Sequence, residues 1–426
     1  MSRIPHPEVD VPRQLPPWGL TRGGERPWIR SAAAAFTSLT ALAATGLVAG
    51  PTTAHAAAPP CALQRTSAHH SEGLDSWNTA YPRPDRNLDA VMVFLSFPDS
   101  PPLTTPEELT ADYFPATSRF FERASYGKFT LRPHPQREWI EMPEDSTSYE
   151  IQRDWNASRR TAYLRDAVAA ADPHVDFGKY DIVYFVADPD APGVDSDATK
   201  VVNFDEPMRA DGTDIKRIVT VFEQHPPDRN VLAHETGHVF DLPDLYHRPS
   251  DGKGDWDTYV GDWDVMGSQF GLAPDLFGWH KWKLGWLDPR QVRCVTPGTD
   301  RLTLEPLSAA PVRGGVGGAK LAVIRTGRDS AIALEARGPS GNDHATCSQG
   351  VLVYRVSGAA ASGRGPVEVV DAHPRSESCW SESVYPPLAD APVRAGESFT
   401  VPGEDVRITV EGRTASGAWT VKVLSG

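Results

Sequence analysis

The stretch Val231-Leu-Ala-His-Glu-Thr-Gly-His-Val-Phe-Asp-Leu-Pro-Asp-Leu-Tyr246 holds the residues whose types and spacing could do chemistry. Residues four apart on a helix share a face, so the imidazoles of His234 and His238 can reach one ion. Glu235, beside the first histidine, stands where a general base for a metal-bound water belongs. The bland alternative is a solvated helix face bearing His and Glu. A third ligand separates the subclasses. Some zinc hydrolases draw a Glu from a second helix about twenty residues on, but no Glu occurs between Glu235 and Glu305. The other arrangement turns the chain after the helix and brings in the residue ten positions past the first histidine, which is Asp244. Pro243 disfavours helical geometry at Leu242, so the helix is expected to end there. Asp241 competes, being on the same helical face. It would lie about 10 Å along the axis from His234, too collinear for three bonds of about 2 Å to one ion. His247 is a remoter candidate and reads as a surface histidine. The expected donor set is His234, His238 and Asp244 around one catalytic Zn2+, with Glu235 as the base.

The elements that must position this set follow from pattern. Ala90–Phe97 is a nearly continuous apolar run of strand length, the mark of a buried strand. Ser118–Ala124 reads as helix and Phe129–Arg132 as strand. Asn156 can cap a helix running through Ala171, ended by Pro173; Asn156-Ala157-Ser158 is also a glycosylation sequon, and the capping role is preferred. Ile182–Ala187 and Ile218–Phe222 are further strands, giving an alternating α/β layout to about residue 230. From Cys294 the texture changes to short β-rich runs punctuated by Gly and Pro: 302–304, 321–326, 332–336, 351–356, 367–370, 399–401, 408–410 and 419–423. Many short strands without a convincing helix predict an antiparallel sandwich.

The first 56 residues read as an export signal. Five arginines precede an uncharged stretch from Ser31 to Thr53, which ends at the small-residue site Ala54-His55-Ala56. A membrane anchor is the alternative, but the stretch is diluted by Ala, Thr, Ser and Gly. Cleavage there moves the net charge from −14 to −16, so no basic footprint remains for nucleic acid. Cys61, Cys294, Cys347 and Cys379 are an even count suited to an oxidising compartment. The favoured pairing joins Cys347 to Cys379 within the β-rich tail and leaves Cys61 to Cys294. A rival reading makes Cys61 a thiolate plug on the metal. Two loops dense in carboxylates, Asp188–Asp197 and Asp251–Asp257, could take Ca2+, though solvated acidic turns are the simpler reading.

HETGHVFDLPDLY resembles the metal site of the immune inhibitor A family of secreted bacterial metalloproteases, which is metzincin-like. Phe94-Leu-Ser-Phe-Pro-Asp99, the 120–129 stretch, Val175-Asp-Phe-Gly-Lys-Tyr-Asp181, Gly261-Asp-Trp-Asp-Val-Met-Gly267 and the 279–286 stretch extend the likeness across about 85–290. The resemblance implies His234, His238 and Asp244 as zinc ligands, Glu235 as catalytic base and Met266 as the methionine of the turn beneath the metal. One departure stands out: the family has Gly where this chain has Asp241. Glycine there permits a left-handed backbone, which Asp tolerates at roughly 1 kcal/mol. Ser268 replaces a Tyr that some metzincins use to stabilise the transition state; Tyr246 and Tyr259 are the available substitutes.

The expectation is an α+β metzincin-like catalytic domain with a C-terminal all-β, sandwich-like domain. Residues 1–56 would be the signal peptide, 57–86 an irregular arm, 87–292 the metalloprotease domain and 293–426 the sandwich. The implied protein is a secreted, extracellular, monomeric zinc endopeptidase acting on proteins or peptides, with no nucleic-acid partner and no membrane contact after signal cleavage. The rivals are a secreted binding or adhesion protein whose metal only braces the fold, and a carbohydrate- or surface-binding sandwich with an accessory N-terminal domain.

Overall fold

The computed structural model describes residues 60–249, 253–310 and 318–426. The expected export signal, and Asp251 and Gly252 of the second acidic loop, lie outside the described residues.

The first half is built on one five-stranded sheet. Its elements in chain order are β1 (Leu88–Ser96), α1 (Pro106–Tyr113), α2 (Ala116–Ala124), β2 (Leu131–Glu141), α3 (Ala157–Ala171), β3 (Ile182–Ala187), β4 (Lys200–Ala210), β5 (Thr213–Val221), α4 (Val231–Val239) and α5 (Gly278–Lys283). The strand order is β2-β1-β3-β5-β4, all parallel except β4, which runs antiparallel to β5 at the edge. Successive side chains of a strand point to opposite faces. Ala90, Met92 and Phe94 of β1 enter the core shared with α2 and α4, while Val91, Val93 and Leu95 enter the one shared with α3. With both faces covered, β1 has no polar face to show, which is why its sequence is a continuous apolar run. Asn156 caps α3 as expected, its Oδ1 accepting from the N–H groups of Ser158 and Arg159.

The second half contains β6 (Val292–Val295), β7 (Gly298–Leu304), β8 (Leu321–Arg325), β9 (Ser330–Arg337), β10 (Gly350–Ser357), β11 (Val367–Val369), α6 (Pro386–Ala389), β12 (Ser398–Thr400), β13 (Val406–Arg413) and β14 (Trp419–Ser425). These strands form two sheets, β11-β10-β9-β8-β6 and β12-β13-β14-β7, antiparallel except for β6 beside β8. Ile324, Leu334 and Val353 meet Ile408, Val421 and Leu302 between the sheets. The opposite face of the larger sheet, through Val323, Ala333, Leu352 and Tyr354, joins the core that also contains α4. The described residues belong to a single compact unit. Its disulfides join Cys61 to Cys294, with Cα atoms 5.4 Å apart, and Cys347 to Cys379, at 6.3 Å. That is the pairing favoured from the sequence.

Three features departed from expectation. The polar edge strand β4 gives no apolar run and carries Pro207, so its periodicity is weak. Helix α1, which no apolar period marks, is set by Thr105, which caps it reciprocally with Glu108 ahead of Pro106. The arm before β1 has no regular element, yet Cys61, Leu63, His70, Ser71 and Glu72 are all buried.

Candidate metal centre

Helix α4 is nine residues long and buried along almost its whole length. Its end is fixed by the chain itself. Leu242 N–H donates to Gly237 O at 3.1 Å and Asp241 N–H to His238 O at 3.1 Å, with Asp241 left-handed at φ +63°. These are the two hydrogen bonds of a Schellman cap. The helix therefore stops at Val239, three residues earlier than Pro243 suggests, and Asp241 itself makes the left-handed turn. Gly237 lets Met266 pack close beneath the helix: a Cβ at that position would overlap the Met266 sulfur and force that side chain to shift. Met266 is fully buried, and its carbonyl accepts from Leu245 N–H at 2.9 Å.

The cap turns the chain so that Asp244 meets both histidines. Its Oδ1 lies 3.4 Å from His234 Nε2 and 3.0 Å from His238 Nε2. Each imidazole is oriented from behind by a carbonyl, which can only accept. His234 Nδ1 donates to Val265 O and His238 Nδ1 to Leu242 O, both at 2.8 Å. In the neutral rings the Nε2 lone pairs then point at the shared centre, as metal-binding histidines require. Ser362, on the loop between β10 and β11, holds the third member: its hydroxyl donates to Asp244 Oδ2 and accepts from Asp244 N–H, each at 2.8 Å. Nothing in the sequence marks Ser362, because it lies 118 residues from Asp244.

The electrostatics follow from this crowding. Burial opposes ionisation of Asp244, but the two imidazoles outweigh it and hold the carboxyl well below its usual range. Burial would lower His238, and the Asp244 charge overrides it, so the ring sits at about 9. Glu235 is 7% exposed, and its Oε2 has no hydrogen-bond partner. Burial pushes its carboxyl up, against the pull of His234 and His238. An unpaired buried carboxylate oxygen is costly, which makes it the group at this site most ready to take a proton or a water. Zinc suits the donors: two nitrogens and one carboxylate oxygen converge on one point, and the orphaned oxygen of Glu235 stands beside them.

These residues line a cleft of about 530 Å³, whose lining also includes Lys200, Val201 and Asn203 of β4, Tyr246 and Trp256. The Tyr246 ring stacks on His234 with centroids 6.3 Å apart. The Tyr259 hydroxyl is turned away to His247 Nδ1 at 3.0 Å. Asp241 does not join the ligand atoms; its carboxylate binds Arg65 Nη2 at 2.6 Å and His70 Nδ1 at 2.9 Å. Among the described residues one other group, Asp371, His373 and Asp390, brings ligand-type atoms together. Both nitrogens of His373 are already engaged, by Asp390 O and Glu397 Oε2. Neither acidic loop assembles three such atoms among the described residues.

No family model matches the chain, and no curated protein matches it. Among solved structures it is similar to wild-type OgpA from Akkermansia muciniphila in two crystal forms. One is 11% identical with a TM-score of 0.27, covering 82% of this chain and 95% of that one. The other is 10% identical with a TM-score of 0.27, covering 70% and 94%. Likeness of that order carries neither fold nor function to this chain.

Proposed function

We propose that this protein is a secreted zinc-dependent endopeptidase, related to the immune inhibitor A-like metalloproteases, with a metzincin-like catalytic region. The observation that carries the reading is the placing of Glu235. A buried carboxylate with an unpartnered oxygen lines the same cleft as three converging ligand atoms. A metal that only braced a fold would need no such neighbour, which weighs against the binding-protein alternative. Zinc held by His234, His238 and Asp244 would supply Lewis acidity and bring a bound water's pKa towards neutrality.

The chain's own residues supply the rest. Glu235 takes a proton from the attacking water and returns it to the leaving amine. Burial raises its proton affinity, which suits a group that must gain and lose a proton in each turnover. Strand β4 pairs on one side only, and Lys200, Val201 and Asn203 face the cleft. An extended peptide can pair with such an edge, presenting its backbone to the metal centre whatever its side chains. The two disulfides suit an extracellular protein. The test is hydrolysis of casein by the purified protein, with and without a chelator. The reading expects cleavage that the chelator abolishes and zinc restores; cleavage indifferent to the chelator would remove zinc from the reaction.

A further inference from the structure

The residue before each carbonyl that orients an imidazole is held by its buried carboxylate, and both supports lead to the same segment. Leu242, whose carbonyl takes the His238 proton, directly follows Asp241. The buried Asp241 carboxylate receives Arg65 at 2.6 Å and His70 at 2.9 Å. Val265, whose carbonyl takes the His234 proton, directly follows Asp264. The Asp264 carboxylate accepts from Met266 N–H at 2.9 Å, from Phe277 N–H at 2.7 Å and from His280 Nδ1 at 2.9 Å. The other nitrogen of His280 meets Glu72 Oε1 at 2.9 Å. Lys283 links the two branches, with Nζ donating to Asp241 O at 2.7 Å and lying 3.8 Å from Glu72 Oε2. Glu72, Asp241, Asp264 and His280 are essentially inaccessible to water. Charge-assisted hydrogen bonds are strongest in such a setting, and removing one partner leaves the others uncompensated.

We propose that residues 61–72 are a permanent clamp on the metal centre, holding through Asp241 and Asp264 the two carbonyls that orient His238 and His234. The inference rests on the reading of those histidines as zinc ligands. It gives Asp241 a second role: the residue that makes the helix-ending turn also ties that turn to the arm. His70 completes the contact, its ring lying 5.7 Å from that of His238 and nearly parallel to it. The disulfide from Cys61 to Cys294 and the hydrogen bonds from Thr66 and Ser71 to Gly358 O fasten the arm at its outer side. Among the described residues the arm's hydrogen bonds go to Asp241, His280 and Gly358 rather than to His234, His238 or Asp244, so its residues are positioning residues. A segment built this way belongs to the mature enzyme: without it the buried Asp241 carboxylate would lose Arg65 and His70, and His280 and Lys283 would lose Glu72.

The test is zinc affinity of the full-length secreted protein, measured by competition with a chromophoric chelator, with the thermal midpoint recorded alongside. His70→Ala should weaken zinc by about 10- to 100-fold, the usual cost of losing an outer-shell partner, while His70→Asn, whose amide can replace Nδ1–H, should bind within about threefold of wild type. Thr66→Val, which removes one of the arm's two hydrogen bonds to Gly358 O and leaves Asp241 paired, should also stay within about threefold. Should His70→Ala not fold, Arg65→Met, at the other oxygen of the same buried carboxylate, takes its place and should weaken zinc in the same direction. Wild-type affinity in His70→Ala or its stand-in, failure of His70→Asn to rescue, or an equal loss in Thr66→Val would overturn the clamp. His234→Ala separates the two claims: if it keeps wild-type zinc affinity, the ligand assignment itself has failed.

Discussion

Asp241 and Asp244 stand three residues apart and carry opposite assignments. Asp244 reaches both Nε2 atoms and is held by Ser362, whereas Asp241 points into the protein at Arg65 and His70. Spacing alone singled out Asp244, because a helix axis is straight and three ligands along it cannot converge. The sequence also suggested that Asp could take a left-handed turn at 241, and it does, at φ +63°. The carboxylate's anchoring role was illegible, since its partners lie more than 170 residues away. Zinc content after dialysis distinguishes the two. Asp244→Ala should fall well below one zinc per chain. Asp241→Gly should remain near one, weakened only by loss of the arm contact. The reverse pattern would place Asp241 in the ligand set.

At the scale of elements, the segment from Asp264 to α5 acts as a plinth for α4. His280 is the charged centre of that plinth, between Asp264 and Glu72. Burial would lower it, but the two carboxylates outweigh this and hold it at about 9. A histidine raised above its unfolded value of about 6.5 contributes stability that is complete below that pH and is lost as pH rises through 9. The gap in unfolding free energy between wild type and His280→Gln should therefore be largest near pH 6 and shrink towards pH 10, by about 1.4 kcal/mol per unit of folded-state shift at most. A gap that stayed constant or widened would mean His280 is neutral in the fold. The strands β1, β3 and β5 were legible as short apolar runs and α3 by its cap and its spaced apolar residues, whereas α4 was marked by the spacing of His234 and His238. Strand β4 was not, because an edge strand beside an open cleft carries polar residues on its exposed positions. It is also the strand that lines the cleft, so the weakest signal fell where the proposed function needs a polar surface.

Over the whole molecule, the change of texture near residue 290 marks the start of the β-rich strands, all of which recur as extended chain. It does not mark an independent body. The larger C-terminal sheet packs one face on the smaller sheet and the other on the core beneath α4. Arg337 of β9 bonds Asp343 at 2.7 Å and the carbonyls of Ala273 and Asp275 at 3.0 Å, tying the tail to the turn beneath the site. The loop after β10 supplies Ser362 to Asp244. Alternation along single strands could predict the sandwich but not which of its faces would be shared, because both faces of β8, β9 and β10 are apolar. The tail is thus part of the framework around the centre.

The most direct measurement pairs activity with metal content in Glu235→Gln. The substitution removes the proton acceptor and leaves His234, His238, Asp244 and their supports intact. The account predicts zinc at about one per chain and casein hydrolysis reduced by at least about a thousandfold. Hydrolysis within a few-fold of wild type, with zinc still bound, would contradict it.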